Sequence, residues 1–329
     1  MYMEEKGYIG VLSIKQDHVN VDDIINCSRS LMLFEPQKFF SSQKKYSRLG
    51  KNNFWEQIRI NLEEKQTFRG SIKSSIYNTF NRGSIDIRYY STTDIIFVKI
   101  IVYTDDYDVL KHLNSIFSDF SRKNIILSAS LRTIAEYDWN DSWDIELHRK
   151  NHQELKEIRT IKSHHDETID FEQFSGHTHV IEGLWFGCTY KMWFGKDYDE
   201  YIPLQKIADF RDCESNICYE NGTRYITMFK SPYDFSDPSC MQKAFKFREV
   251  TDCDAAYEHW KKIVTSIDYV QGQVNMEIEK GTFPHGGIRL IRVYLDENNN
   301  ATLKARAVKV NITERGTDGS VLYEETFDL

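Results

Sequence analysis

IIFVKIIVYTDDYDVLKHLNSIFSDFSRKNIILSASLR, residues 95–132, changes its periodicity twice. Ile95–Tyr103 is apolar and β-branched apart from Lys99 and reads as a strand. From Asp105 to Ser121 the pattern turns helical, with Val109, Leu110, Leu113, Ile116, Phe117 and Phe120 on one stripe. Asp105, Asp106 and Asp108 suit the positive N-terminal end of that helix. Asn124–Arg132 returns to a strand. This β-α-β run predicts a helix lying on an antiparallel sheet that contains both strands.

Reading outward, Ile85–Tyr90 is a strand joined to Ile95 by the turn-like STTD, and Tyr8–Lys15 is a strand near the start. Ile24, Cys27 and Leu31 recur at helical spacing before Pro36. Phe54, Ile58 and Leu62 mark a further helix after the cap candidates Asn52 and Asn53. Ile72, Ile76 and Phe80 suggest another. The order is β-α-insert-β-β-α-β, so residues 1–137 are expected to form a ferredoxin-like α+β domain carrying a helical insert over 36–82.

Residues 138–170 read as a polar connector with a short helix around Arg149–Ile158. Residues 171–329 read as a second α+β domain. It opens with a long strand, His177–Gly195, and a helix near Leu204–Phe210. A hairpin follows, with Asn221-Gly222 as a type I′ turn, then helices over Met241–Val250 and Ala255–Thr265. The tail reads as a β-meander: Tyr269–Glu279, Ile288–Leu295, Thr302–Ile312 and Val321–Phe327. Slips in its apolar phase place bulges near Leu290–Ile291 and Ala307–Val308.

A chain of 329 residues is long for a single core, and 40% apolar content supports folded domains. MYMEEKGYIG lacks the apolar region of a signal peptide. The run Ile95–Tyr103 is too short to span a bilayer. The expectation is a cytoplasmic protein without membrane association, its six cysteines reduced. Their spacing, with no CxxC pair, argues against a zinc ribbon. No GxGxxG or GxxxxGK[ST] loop occurs, so no cofactor is expected. Net charge is −8, yet residues 38–82 carry a balance of +7, which leaves −15 for the rest. Such asymmetry bears on partners rather than on fold.

Within LWFGCTYKMWFG, residues 184–195, the tripeptide WFG recurs at an even spacing, which on one strand puts both copies on one face. Leu184, Phe186, Cys188, Tyr190, Met192 and Phe194 then face the core. Trp185, Lys191 and Trp193 face the other way, as a candidate binding surface. The connector EYDWNDSWDIE offers a second one: Trp139 and Trp143 as aromatic anchors, Asp141 and Asp144 as charges steering a basic partner.

Histidines cluster between these two segments. His148 and His152 are adjacent on a helix, His177 and His179 on a strand. Either pair could chelate a metal, with Asp166 or Glu167 completing a shell. Neither pair shows further ligands, so no stoichiometric metal is expected. The segment 38–82 interleaves cations with aromatics, as single-stranded nucleic acid favours. An ordinary solvated insert is the reading the sequence prefers.

No motif names a reaction. LWFGCTYKMWFGKDYDEYIPLQKIADF, followed by a hairpin and a helix, resembles the cytosolic immunity proteins that bacteria pair with polymorphic toxins. The resemblance covers the second domain. It implies a non-catalytic protein that binds one cognate toxin domain, and it carries over no residue. The alternative from a different class is a metal-dependent hydrolase centred on His148, His152, His177 and His179.

Overall fold

In a computed structural model, residues 6–16, 20–41, 47–74, 82–152, 158–162, 167–266, 276–297, 299, 307–317 and 319–329 are described. Backbone contacts divide the chain into two compact units, Met1–Val264 and Thr265–Leu329.

The first unit is built on one antiparallel sheet. In chain order its elements begin with strand β1 (Gly7–Lys15), helix α1 (Val21–Ser30), strands β2 (Lys38–Ser41) and β3 (Ser47–Leu49), helix α2 (Lys51–Glu63) and strand β4 (Phe68–Lys73). Then come β5 (Arg82–Tyr90), β6 (Ile95–Tyr103), α3 (Tyr107–Arg122) and β7 (Ser128–Thr133). Two short helices follow, α4 (Ile134–Asn140) and α5 (Ile145–Asn151), then short strands β8 (Thr160–Lys162) and β9 (Glu167–Ile169). Next are β10 (Thr178–Ile181), β11 (Leu184–Gly187), β12 (Lys191–Phe194), α6 (Leu204–Asp209), β13 (Ser215–Cys218) and β14 (Arg224–Thr227). Helices α7 (Pro238–Thr251) and α8 (Cys253–Ser266) come last.

Ten strands lie in the order β13-β14-β12-β7-β1-β6-β5-β4-β2-β3. At its centre, β1 is flanked by β6 and β7 and β6 by β5, every pair antiparallel. The α3 stripe falls on this centre as its periodicity expects: Leu113 and Phe117 are fully buried. Gly10 makes the close approach possible, because a Cβ there would stand 2.6 Å from the Phe117 ring. Asp106 caps α3 by accepting from the Asp108 N–H at 2.9 Å.

Three expectations are corrected. The insert is not purely helical: α2 forms where expected, but β2, β3 and β4 are strands that extend the sheet, and Ile72 lies on β4. Residues 75–81, the rest of the expected third helix, lie outside the described residues. Second, the division at 138–170 is crossed by the sheet itself, since β12 pairs with β7, Trp193 opposite Ala129. Of the helix expected around Arg149–Ile158, the described part Arg149–Asn151 belongs to α5, which starts earlier at Ile145, and residues 153–157 lie outside the described residues.

Third, the long strand is broken twice. Glu182 (φ 46°) and Gly183 (φ 82°) make a two-residue turn with left-handed backbone, folding β10 onto β11 with Ile181 opposite Leu184. Cys188–Tyr190 then leaves that hairpin, and β12 enters the large sheet. In the Asn221-Gly222 turn only Gly222 is left-handed, so it is not the expected type I′.

The second unit is a four-stranded antiparallel meander: β15 (Met276–Lys280), β16 (Arg289–Leu295), β17 (Lys309–Arg315) and β18 (Val321–Asp328). Register runs unbroken through Leu290–Ile291, and the irregularity falls at Glu314/Arg315 instead. The first parts of the expected Tyr269–Glu279 and Thr302–Ile312 strands, residues 269–275 and 302–306, lie outside the described residues. No described helix is long and apolar enough to cross a membrane.

Candidate functional site

Asp141 lies just beyond the end of α4, and Arg132 projects from β7; both are buried and bonded at 2.5 Å. The Asp141 carboxylate also accepts from the Thr178 N–H at 2.7 Å and the Thr178 hydroxyl at 2.8 Å. It pins the connector to β10, so the expected partner-facing role of Asp141 is corrected. A carboxylate with these partners is stable inside the fold because its lone pairs are satisfied.

The histidines follow the same logic. All four are buried. The His148 Nε2–H donates to the Ser142 carbonyl, and the His152 Nε2–H donates to the Trp139 carbonyl at 2.8 Å. Both rings stack on Phe174, at centroid distances of 4.8 and 4.2 Å. Trp139 in turn lies 4.1 Å from the His152 ring and 6.0 Å from Phe235, half-buried. This pair holds the connector together.

His177 and His179 form a separate pair. The His177 Nδ1–H donates to the Phe174 carbonyl at 2.5 Å, leaving Nε2 as an acceptor. His179 stacks on Tyr257 at 3.9 Å and lies 5.5 Å from Phe171. Nitrogens of both rings and a carboxylate oxygen of Asp254, at the start of α8, lie within 4.8 Å of one another. Glu172 is 3.9 Å from His179 Nε2. Burial, reinforced by the Arg248 charge, depresses His177 to about 4. Burial and the neighbouring His177 depress His179 to about 3. Both rings are neutral at pH 7, as metal ligation requires.

The cation position in this cluster belongs to Arg248. Its buried guanidinium donates to the His177 carbonyl, to His177 Nε2 and to the Asp254 carboxylate. A divalent ion would have to take His177 Nε2 and the Asp254 carboxylate from a buried arginine and leave its charge unpaired, a costly exchange. His148 and His152 do not join this ligand group, so the four histidines do not make one shell. Asp166 and the Glu167 side chain lie outside the described residues.

The tryptophan face is corrected outright. Trp185 and Trp193 are 1% and 0% exposed. Trp193 packs edge-on against Phe117 at 5.4 Å and stacks on Tyr225 at 5.0 Å. Because the strand breaks at Cys188–Tyr190, the two residues sit in different sheets, and parity along one strand does not relate them. Lys191 is half-buried and donates to Asn114 Oδ1 at 3.0 Å and to the Tyr225 hydroxyl at 2.7 Å, tying α3 to β14.

Of the six tryptophans only Trp143 is exposed, at 61%. It lies 5.8 Å from Phe171. Asp144 beside it is also exposed and caps α5, accepting from the Glu146 and Leu147 N–H groups at 2.9 and 3.0 Å. The cap fixes the backbone that carries Trp143. Exposed carboxylates of Glu146, Glu172 and Asp254 and the half-buried ring of Tyr257 continue this surface through Phe171 and His179. Sequence reasoning found Trp143 and Asp144. It missed Phe171, Arg248, Asp254 and Tyr257, which lie on ordinary-looking polar segments and meet the connector only in the fold.

The sequence matches no known protein-family model and no curated protein.

Proposed function

We propose that the chain is a non-catalytic binding protein whose working surface centres on Trp143. The observation that carries this reading is a tryptophan 61% exposed at a capped helix start, when no other tryptophan of the chain is exposed. Trp is the residue most often found as an interface anchor. The carboxylates of Asp144, Glu146 and Glu172 around it favour a basic partner, steering approach by charge while the ring supplies residence time. An immunity protein that neutralises a cognate toxin domain by one-to-one binding in the cytoplasm fits this surface, since it needs an acidic aromatic patch and no reaction centre. The same reading takes the β7-β1-β6-β5 core as a ferredoxin-like unit that serves as scaffold.

The test is quantitative capture of partners from the producing cell, with Trp143→Ala and Asp144→Lys beside the parent. A protein bound one-to-one by the parent should lose at least about 2 kcal/mol of binding on Trp143→Ala, as anchor tryptophans do. The variant should keep the parent melting temperature, because the side chain is mostly in solvent. A partner held equally well by both variants would move the interface elsewhere on the molecule.

A further inference from the structure

The rings around Trp143 form a row. Trp143 lies 5.8 Å from Phe171, the two planes tilted by 59°. Phe171 lies 5.5 Å from His179, which stacks on Tyr257 at 3.9 Å. His179 is buried, Phe171 and Tyr257 are half-buried and Trp143 is exposed, so the row climbs from the core to solvent. Glu172 follows Phe171 in a single 3-10 turn, and its carboxylate comes within 3.9 Å of His179 Nε2. The carboxylate and the Phe171 ring therefore border the same imidazole. Burial keeps that imidazole neutral at pH 7, so it does not balance the Glu172 charge. Among the described residues no Lys or Arg forms an ion pair with Glu172 or with Asp144, whose carboxylate is held by the N–H groups of α5. Glu146 and Asp254, by contrast, are paired with Arg149 and Arg248.

Elsewhere the chain covers its rings with its own cations. Arg29 stands 5.1 Å from the Trp55 ring, Arg122 5.0 Å from Tyr219 and Arg132 4.9 Å from Tyr137. On this same surface Lys261 stands 5.2 Å from the Tyr257 ring and is bonded to Glu258 at 3.0 Å, a ring, a cation and a carboxylate in contact. At Trp143 and Phe171 the ring and the carboxylate are present, and no Lys or Arg among the described residues lies over either ring.

We propose that the Trp143 surface recognises an arginine side chain of its partner, the guanidinium lying against the indole with its N–H groups directed to Glu172 or Asp144. This deepens the reading of the surface as an interface and rests on it. Trp is the strongest aromatic partner for a cation, and the attraction grows when the pair is withdrawn from water. A guanidinium is flat, weakly hydrated and always charged, so it can cover a ring and still aim donors sideways at a carboxylate. An ammonium is compact and strongly hydrated, and it gives up more water to do the same. A purely apolar group would cover the indole but take the carboxylates out of water without a donor. A second copy of the chain using the same patch would set like charges against each other.

The probe is glycyl-arginyl-glycine, acetylated and amidated at its ends, titrated into the isotope-labelled full chain. The readout is the indole N–H resonance of Trp143, identified by its loss in Trp143→Phe. A saturable shift is expected. The same peptide with lysine, or with citrulline, which keeps the shape of arginine without its charge, should bind about threefold more weakly or worse. Glu172→Gln with Asp144→Asn should weaken arginine binding about threefold or more through the lost charge-assisted bonds. The other indole resonances, from rings that are not exposed, should stay in place and establish that the fold is kept. No shift with the arginine peptide would overturn the proposal. So would equal affinity for citrulline or for lysine, or unchanged arginine binding in the doubly substituted chain. The peptides need no natural partner, so the two failures separate. Partner capture that depends on Trp143, beside any of these results, leaves the interface standing and removes only its arginine. Capture that ignores Trp143 removes the interface itself, and the arginine proposal with it.

Discussion

Glu136 is a carboxyl that the fold holds far from its ordinary state. It lies in the first turn of α4, 1% exposed, with one oxygen accepting from the Tyr190 N–H at 3.0 Å and the other without a partner. Burial pushes its carboxyl from near 4.5 up to about 8, against the opposing pull of Arg132. Between those values the folded chain holds a proton that the unfolded chain releases, so this group makes stability fall as pH rises. His177 and His179 act in the other direction. Their depressed values make stability fall as pH drops below about 6.5, where the unfolded imidazoles take up protons first. Glu136→Gln keeps an acceptor for Tyr190 and removes the titration. Comparing the variant with the parent cancels the histidine contribution. Urea unfolding should show the Gln variant gaining on the parent steadily from pH 5 to pH 8. A constant difference between the two curves across that range would show that Glu136 ionises normally.

At the scale of elements, what was legible depended on whether a pattern stayed within one element. The α3 stripe, strands β1, β5 and β6, and α6 to α8 were read from local periodicity, which survives folding because each pattern stays within one element. Residues 177–195 could not be read that way. Apolar residues fill both phases of the segment, so its two interruptions left no mark on the pattern, and Glu182-Gly183 carries no strong turn signal beyond its glycine. β12 is an interior strand between β7 and β14, and Met192 and Trp193, on its opposite faces, are both fully buried. The histidine pairs were visible as candidates, but their partners Arg248, Asp254 and Tyr257 lie 60 residues or more further along the chain than His179 or His177, beyond the reach of spacing. The consequence is a reversal for Trp193. Its removal leaves a cavity between Phe117 and Tyr225 rather than a gap in a binding surface. Trp193→Ala should cost about 3–5 kcal/mol of unfolding free energy, the usual range for a large aromatic in a core. A variant as stable as the parent in denaturant would return Trp193 to the surface.

For the whole molecule, the unit to be reckoned with is the sheet, and it does not stop where composition changes. A boundary between residues 137 and 171 looked natural because the connector is polar and charged. Yet part of that polarity is turned inward: Asp141 bridges Arg132 and Thr178, and His148 and His152 close on connector carbonyls. Cutting there would expose the edge of β7 that β12 covers, a row of unpaired backbone groups open to aggregation. It would also strip Trp193 from Phe117 and leave Arg132 buried beside an empty place. The compact unit instead ends near Val264, within α8. Residues 1–266, which keep α8 whole, should therefore be expressed as a soluble protein with a single cooperative melt and a near-ultraviolet dichroism spectrum typical of fixed aromatics. Residues 1–137, which contain the entire segment first read as a self-sufficient domain, should aggregate or lack a cooperative transition. A sharp melt and ordered aromatic signals from the 1–137 fragment would show that β12, β13 and β14 decorate a domain already stable without them.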